Sequence, residues 1–432
     1  MIALAIVGVS CLLMILSILF FPQIKLGKIS LDSYWVVVLL GAAVIIACGQ
    51  IDLGTLGKKF TENTAVNPLK ILVLFISMTV LSIFLDELGF FRYLANLTLK
   101  FAGSSQRKLF TILYLTVSIL TVFTSNDIII LTFTPFICYF SKNAKIDPVP
   151  YLVGEFIAAN TMSMTFIIGN PTNIYIATAY SVSFVEYLKV MILPTLASAL
   201  AAYVLLLVVF GKKLSEKAEP EFEDFKIEDK PLLIIGIIHL VVCTLLLAVC
   251  SYFNVEMWII SFSFAVSVLL FGTAVSLLRK RKLTPVSATI KRLPWQLVPF
   301  VLSMFVMVLS LSENGITEAI GRLLGDKLPI LKYGTASFLA ANVINNIPMS
   351  VLFCPVMSAL DGATLSKALY ATVVGSNLGA YLTPIGALAG IMWTSLLKKY
   401  DVKFGYLDFV KYGAIVSVPT LLTCLGVLAL VI

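Results

Sequence analysis

Charged residues are scarce in this sequence of 432 residues: Asp, Glu, Lys and Arg make up 12% of it, against 59% hydrophobic residues. Soluble globular domains carry about a quarter charged residues, so the composition excludes that class and indicates an integral membrane protein. The first apolar run, residues 1–21, has no basic start and no small-residue cleavage site. We therefore expect a retained helix and no signal peptide.

Metal ligands and catalytic motifs are also lacking. The sequence has one histidine, His239, which we expect to be packed or interfacial, and seven cysteines scattered through apolar runs. This pattern predicts no metal site, no disulfide framework and no cofactor. There is no HExxH motif and no pair of intramembrane aspartates, which disfavours an intramembrane enzyme. The net charge of +8 comes from bases in short loops, so the expected partners are lipid and solute, with no nucleic acid.

Ten apolar runs are long enough to span a bilayer, five in each half of the chain. They cover residues 1–21, 33–50, 69–86, 150–180, 187–210, 231–252, 255–278, 294–312, 366–397 and 411–432. Two further apolar stretches, 108–140 and 330–360, are interrupted by "TSND" and "INNIP". Each predicts a re-entrant hairpin, in which two half-helices meet at a polar tip. The expected fold class is an all-α membrane protein with about ten transmembrane helices.

The two halves repeat one another. Polar residues of the first hairpin recur 220 positions later in the second, and those of the 150–180 span recur 217 positions later. The matched pairs are Ser125 with Asn345, Asn126 with Asn346, Pro135 with Pro355, Asn160 with Asn377, and Gly169 with Gly386. This repeat predicts a first unit at 1–210, a linker at 211–230 and a second unit at 231–432.

The loop charges predict the orientation of these units. With both hairpins re-entrant, loops on the side opposite Met1 carry 23 of the 31 Lys and Arg residues, and the other side carries 8. By the positive-inside rule the richer side is cytoplasmic, so both termini face outward and the linker is cytoplasmic. Five spans per repeat then make the halves inverted copies. Full crossing of both hairpins would abolish the charge asymmetry, which favours the re-entrant interpretation.

Four polar breaks at membrane depth predict a cavity, because lipid cannot satisfy the hydrogen bonds of non-helical backbone. They are the two hairpin tips, "GNPTN" at 169–173 and "LTPIG" at 382–386. In carriers with inverted repeats, such half-helix ends meet near the midplane and bind substrate and coupling ions. The candidate binding residues are Ser125, Asn126, Asp127, Asn160, Gly169, Asn170, Thr172, Asn173, Asn345, Asn346, Ser376, Asn377, Thr383 and Gly386.

The chemistry of these breaks is mostly neutral. Amide and hydroxyl groups can surround a partly dehydrated cation, or hold an oxyanion or a hydroxylated solute beside the positive ends of half-helices. Asp127 and Glu155 are the ionisable groups placed within the apolar stretches of this region, which makes both candidates for a coupling ion or proton. Asp127 is the better one, because its repeat mate is Ile347. For Glu155, the alternative to a coupling role is a position near the membrane–water interface.

Three stretches resemble a known group of transporters. "TSNDIIILTFTP" resembles the hairpin of the arsenite/antimonite efflux permeases, and "GSNLGAYLTPIGALAGIMW" resembles their C-terminal "TPIG" stretch. "EFIAANTMSMTFIIGNPTN" is similar to an element of the broader ion transporter superfamily, which includes citrate–metal carriers, divalent anion/sodium symporters and sodium/proton antiporters. The resemblance runs from about residue 30 onward. The sequence departs from the pattern at Asn170, where Asp is frequent, and lacks the "SNT" signature of the carboxylate symporters.

The resemblance implies an elevator-type secondary carrier in a prokaryotic plasma membrane, with a scaffold that usually dimerises. The favoured function is export of arsenite or antimonite, driven by the proton gradient through Asp127. The alternatives are sodium- or proton-coupled transport of an organic or inorganic anion, and sodium/proton antiport. Because the sequence has no "GxxxxGK[ST]" motif, the energy must come from an ion gradient, unless a separate ATPase subunit docks on the cytoplasmic loops.

Overall fold

The computed structural model describes residues 1–21, 23–26, 29–64, 67–217, 226–253, 255–280 and 283–432. Helices dominate these residues, and the predicted fold class is confirmed. In the first half the helices are α1 Ile2–Phe20, α2 Ser33–Ala47, α3 Leu53–Thr61, α4 Pro68–Glu87, α5 Phe90–Ala102, α6 Gln106–Phe123, α7 Asn126–Asn143, α8 Val149–Met162, α9 Pro171–Ala179 and α10 Phe184–Phe210.

The second half contains the same number of helices in the same order. They are α11 Lys230–Val249, α12 Met257–Leu278, α13 Thr284–Arg292, α14 Leu297–Glu313, α15 Ile316–Leu324, α16 Pro329–Ile344, α17 Asn346–Val356, α18 Gly362–Gly379, α19 Leu388–Lys399 and α20 Tyr406–Val431. Short 3₁₀ turns at Ile167–Gly169 and Pro384–Gly386 precede α9 and α19. The order of the described helices is therefore the same in both halves, whereas the inverted repeat stays a prediction.

Eight helices in the described residues are long and apolar enough to cross a membrane: α1, α4, α6, α10, α11, α12, α13 together with α14, and α20. They include α6, which we predict to be one arm of a re-entrant hairpin. The remaining predicted spans have other forms. The helix α2 has 15 residues, and the 150–180 and 366–397 runs are each split into two helices by the polar breaks. The predicted interruptions are thus present in the backbone.

Local sequence explains where several helices begin. Asn67 accepts a hydrogen bond from the Leu69 amide at the start of α4, and Pro68 occupies the first helical position, where its missing N–H leaves no bond unmade. Ser105 and Ser183 similarly accept amide hydrogen bonds at the starts of α6 and α10. These polar caps define the ends of otherwise uniformly apolar helices.

The structure adds features that the sequence analysis did not predict. A two-stranded antiparallel hairpin, β1 Gln23–Leu26 and β2 Ile29–Asp32, joins α1 to α2, so the chain is not purely helical. The predicted loops also contain the short helices α3, α5, α13 and α15. Part of the predicted linker, residues 218–225, lies outside the described residues.

Helices of each half pack against helices of the other half. The helix α2 packs against α14 of the second half, and its counterpart α12 packs against α4 of the first half. The helices α10 and α20, which end the two halves, pack along each other. The only histidine of the chain, His239, lies between α11 and α12, where its Nε2 is 3.0 Å from Ser267 Oγ. The expectation of a packed histidine is confirmed.

Candidate functional site

The tip of the first hairpin presents polar atoms that lack protein partners. Ser125 is extended between α6 and α7, and α7 begins at Asn126. Asn126 Nδ2 donates to Asn160 Oδ1 on α8 at 3.0 Å, which ties the tip to the neighbouring helix. Ser125 Oγ and Asn126 Oδ1 are buried and have no hydrogen-bond partner within the described residues. Buried polar atoms are nearly always paired, so these two oxygens are candidates for binding a solute or ion.

Asp127 faces a cavity of about 740 Å³. Ser125 shares this cavity with it, and Leu388, the first residue of α19, lies on the wall. The structure records no hydrogen-bond partner for the Asp127 carboxyl in the part of the chain that it describes. The tip of the first hairpin therefore meets an open volume through a hydroxyl and a carboxyl, as the sequence predicts for a site at this break.

The tip of the second hairpin is held more tightly. Asn345 has φ 72° and ψ 153°, a conformation that costs a non-glycine residue about 1–3 kcal/mol. Its Nδ2 donates to the Ile385 carbonyl at 2.9 Å, and its Oδ1 accepts the Ile347 amide at 3.3 Å. Both groups of the side chain thus fix the strained turn. Asn346 is buried beside it, and no side-chain hydrogen bond is recorded for it among the described residues.

Asn342, which the sequence analysis did not select, fastens the second hairpin to the break at 382–386. Its Nδ2 donates to the Gly379 carbonyl at 3.0 Å, and its Oδ1 accepts the Thr383 hydroxyl at 2.7 Å. An amide in the apolar run "FLAANVI" is the signal that would have found it. The hydroxyl of the predicted site residue Thr383 is therefore hydrogen-bonded to α16, the first helix of the second hairpin.

Asn377 is the centre of a hydrogen-bond cluster that joins the two halves. Its Oδ1 accepts from Ser163 Oγ at 2.9 Å and from Asn170 Nδ2 at 3.0 Å. Its Nδ2 donates to Asn173 Oδ1 at 2.7 Å and to the Val373 carbonyl at 2.9 Å. The structure thus brings three predicted site residues together, and in this conformation the Asn377 amide groups bind protein atoms.

The remaining groups of Asn170 and Asn173 are also engaged. Asn170 Oδ1 accepts the Thr172 amide at 3.2 Å and its hydroxyl at 3.1 Å, which starts α9. Asn173 Nδ2 donates to the Ser163 carbonyl at 2.8 Å. Ser376 differs from them, because its buried hydroxyl has no partner within the described residues. Ser376 therefore joins Ser125 and Asn126 as a predicted site residue with a buried oxygen that has no partner in the described part of the chain.

The two matched glycines permit the chain to fold back at the breaks. A Cβ on Gly169 would lie 2.3 Å from the Ser163 carbonyl oxygen, and one on Gly386 would lie 2.5 Å from that of Gly379. Real Cβ contacts are essentially never shorter than 3.0 Å, so any side chain would force the backbone apart. Both glycines are predicted site residues, and the structure explains them by this close backbone approach.

Glu155 is buried inside the protein, with 1% of its surface exposed. Thr134 on α7 donates to its carboxyl, with its Oγ1 3.1 Å and 3.0 Å from the two oxygens. Trp393 on α19 packs against Phe156 next to it, with ring centroids 4.9 Å apart. The carboxyl therefore lies between the first hairpin and two of the broken helices. Its role in coupling stays a prediction.

Four half-helices begin at the breaks: α7, α9, α17 and α19. The helix α7 packs against α19, and α17 packs against α9. Helix N-termini carry partial positive charge and free N–H groups. The first residues of α7 and α19, one helix from each half, line the cavity at Asp127, an arrangement that suits negative or oxygen-rich solutes.

Sequence comparison identifies the group to which this fold belongs. The sequence profile of the citrate transporter family (CitMHS) matches residues 9–365. The chain belongs to the citrate transporter family. The predicted membership of the ion transporter superfamily, with likeness to arsenical pumps, is confirmed.

Individual relatives agree with this assignment. The arsenical pump membrane protein of Escherichia coli is 27% identical over 418 residues, which cover 90% of this chain and 92% of that protein. The protein of the same name from Yersinia enterocolitica is 28% identical over 379 residues, covering 82% and 85%. The crystal structure of the YdaH transporter of Alcanivorax borkumensis has a TM-score of 0.58 at 14% identity, covering 99% of this chain and 97% of that one. This member of the citrate transporter family is therefore a multi-pass membrane transporter of the arsenical pump type.

Proposed function

We propose that this member of the citrate transporter family is a secondary transporter that exports arsenite or antimonite, driven by protons that bind at Asp127. The observation that carries the proposal is the tip of the first hairpin. There, two buried oxygens without protein partners, Ser125 Oγ and Asn126 Oδ1, adjoin a carboxyl that faces the cavity. The names of the two arsenical pump relatives support the choice of solute.

A neutral trihydroxy solute matches the chemistry of this tip. Each solute hydroxyl can donate to an acceptor such as the Asn126 carbonyl oxygen, and no fixed positive charge is needed to hold it. The nearest charge from the tip itself is Asp127, one residue further along. Protonation of that carboxyl removes its negative charge and adds a donor, so solute binding and proton binding become linked.

The cavities support the grouping of the loops into two sides. The 740 Å³ cavity at Asp127 is lined by Gln23, Arg292 and Lys398, from three loops that the charge count places on the cytoplasmic side. A second cavity, of about 330 Å³, is lined by Asn63, Ser181 and other residues from loops assigned to the outside. We therefore propose that the solute reaches Asp127 from the cytoplasm in this conformation.

The proposed movement is of the elevator type, with α7, α17 and the broken helices moving against α1, α2, α4 and their counterparts. The exchanged packing of α2 on α14 and of α12 on α4 supports a scaffold shared by both halves. We expect this scaffold to form a homodimer in the plasma membrane, with both termini outside.

The second candidate function is ion-coupled transport of an organic or inorganic anion. Two observations favour it: the four half-helix N-termini at the breaks, and the basic residues Arg292, Lys398 and Lys399 that line the cavity. A sodium requirement for uptake of an anion such as citrate by proteoliposomes would support this candidate over arsenite export.

Arsenite sensitivity of cells that lack their own exporter tests the proposal. Expression of the wild type should restore growth on arsenite and lower the cellular arsenic content. Asp127→Asn and Asn346→Ala should lose this protection at equal expression. Wild-type expression that leaves both growth and arsenic content unchanged would overturn arsenite export in favour of the anion carrier.

A further inference from the structure

Polar residues that no sequence motif marks line the cavity that Asp127 faces. Asp32, Tyr34 and Gln296 all face this cavity, and so does Asp127. Asp32 and Tyr34 come from the β2–α2 junction, and Gln296 immediately precedes α14. These elements belong to the proposed scaffold, whereas Asp127 belongs to the first hairpin. The cavity that the predicted coupling residue faces is thus lined by a second carboxyl, from a different part of the fold.

Asp32 occupies the N-cap position of α2 but does not cap the helix. Aspartate is among the preferred N-cap residues because its carboxylate accepts the amides of the first turn. Here the structure records no such bond, and the residue instead lines the cavity beside Gln296 and Gln23. The Asp32 carboxyl is therefore directed to the polar lining of the cavity rather than to its own helix.

Gln296 and Tyr34 share the cavity with this carboxyl and with Asp127 of the first hairpin. The Tyr34 ring packs edge-on against Phe300 of α14 at 5.2 Å, and 5% of the residue is exposed, so its position is fixed. A buried tyrosine and two carboxyls thus face one cavity.

The charges around Asp32 favour a group that can hold and release a proton. Burial raises the pKa of Asp32 above its ordinary value, and the polar side chains of Gln296 and Gln23 partly oppose that rise. The titratable and charged groups that share the cavity with Asp32 are Tyr34 on α2, Asp127 on α7, Arg292 on α13, and Lys398 and Lys399 on α19. Arg292 is engaged with Asp86 and Glu87, so it is not free to neutralise Asp32.

We propose that Asp32 is the residue that receives the proton released by Asp127 and passes it to the cytoplasmic water, with Gln296 and Tyr34 lining the cavity that the two carboxyls share. This inference rests on the proposed proton-driven function. In the step, the Asp127 carboxylic acid gives its proton to cavity water, and that water gives one to the Asp32 carboxylate. Asp32 then gives its proton to bulk water. The net result is the loss of one proton, and both carboxyls end ionised.

Two assays on the same proteoliposomes test this role. The first measures arsenite transport driven by an imposed proton gradient, together with proton movement reported by a pH-sensitive dye. The second measures exchange of labelled for unlabelled arsenite without a gradient, which needs no net proton release. Asp32→Asn should slow the driven transport about tenfold or more while leaving the exchange within about twofold of wild type.

Two variants control for structural effects. Asp32→Glu restores a carboxyl and should recover most of the driven transport. Asp52→Asn changes a fully exposed N-cap aspartate of α3, and should match wild type in both assays. The driven transport of Asp32→Asn should also show a pH dependence displaced from that of wild type, because one of two titrating groups on the path is absent.

The outcomes separate the inference from the proposed function. If wild type exchanges arsenite but shows no dependence on protons, the proposed proton coupling is wrong, and the role of Asp32 fails with it. If wild type is proton-driven and Asp32→Asn equals it in rate and pH profile, the role of Asp32 alone is overturned. Equal loss of exchange and driven transport in Asp32→Asn would also overturn it, since that result indicates a structural role.

Discussion

At the scale of single residues, the asparagines of the site divide into two groups. Asn377, Asn170 and Asn173 direct their amide groups to one another and to nearby protein atoms. Asn126 keeps its carbonyl oxygen unpartnered within the described residues. We therefore expect the first group to hold the two halves together and Asn126 to contribute directly to binding.

Substitution of Asn377 tests this division. Asn377→Ala removes four hydrogen bonds, leaves Asn170 Nδ2 without its partner and leaves Asn173 Oδ1 with only the long bond from Thr172 Oγ1, so we expect a loss of about 2–4 kcal/mol in stability. Asn126→Ala removes one bond and should lose about 1 kcal/mol or less. The apparent melting temperature of the purified proteins in detergent measures both. Equal melting temperatures for Asn377→Ala and wild type would refute a structural role for the cluster.

Gly169 provides a second test at this scale. The Cβ of Gly169→Ala would be driven into the Ser163 carbonyl, and overpacking of this kind destabilises by about 1–3 kcal/mol. Gly8→Ala is the matched control, because a Cβ on Gly8 meets nothing within 4 Å. We expect a lower melting temperature for the first variant and an unchanged or higher one for the second. A Gly169→Ala protein as stable as Gly8→Ala would contradict the close approach.

The sequence predicted much of the site and few of its contacts. The breaks, the matched asparagines and Asp127 follow from polar residues in apolar runs, a local signal that one sequence contains. The partner of each asparagine does not follow, because it depends on which backbone or side chain approaches in the fold. Ser163 and Asn342 were missed for this reason: each is a single polar residue whose importance comes from its partners.

At the scale of elements, the two hairpins are anchored differently. The second hairpin is tied to the break at 382–386 through Asn342 and Asn345. The first hairpin is tied through α7, where Thr132 donates to Asp86 Oδ1 of α4 at 3.0 Å. Asp86 also pairs with Arg292 of α13, at 2.7 Å. This tie lies between the cavity at Asp127 and a larger one of about 990 Å³, since Arg292 lines the first and Asp86 the second.

Loss of the Thr132 hydroxyl should loosen the first hairpin without leaving a buried charge unpaired. In Thr132→Val, Asp86 keeps its pair with Arg292, so we expect a local loss of about 1 kcal/mol and faster amide exchange in α7, by about fivefold. Hydrogen–deuterium exchange measures this change. Thr423→Val is the control, because the Thr423 hydroxyl bonds only within α20. Unchanged exchange in α7 would show that the Thr132 bond does not restrain the hairpin.

Long elements were predictable and short ones were not. The apolar runs gave the long helices and the interrupted runs gave the hairpin arms, because hydropathy over about 20 residues is a strong signal. The helices α3, α5, α13 and α15 have 9 to 13 residues, too few to register in such a window. The β1–β2 hairpin has four residues in each strand and was missed for the same reason.

At the scale of the whole molecule, the account predicts that the first hairpin tip is accessible to solution on one side of the membrane. The cavity at Asp127 extends to Lys398 and Lys399, in a loop that the charge count places in the cytoplasm. A cysteine at Ser395, which lines this cavity on α19, should therefore react with a membrane-impermeant thiol reagent added to inside-out vesicles and not to intact cells. Cys48, which is exposed at the end of α2 and at the outer end of the predicted 33–50 span, should show the opposite preference. With Cys48 replaced by serine, reaction of Ser395→Cys from the outside of intact cells would contradict the predicted orientation.

The most direct test of transport is arsenite accumulation by inside-out membrane vesicles, whose outer face is the cytoplasmic one. The account predicts that wild-type vesicles accumulate arsenite when a proton gradient with an acidic lumen is imposed. Collapse of the gradient should end the accumulation. Asp127→Asn vesicles with equal protein content should accumulate none above vesicles without the transporter. Accumulation by Asp127→Asn at the wild-type rate, or no accumulation by wild type, would contradict the claim that this carboxyl couples protons to the export of the solute.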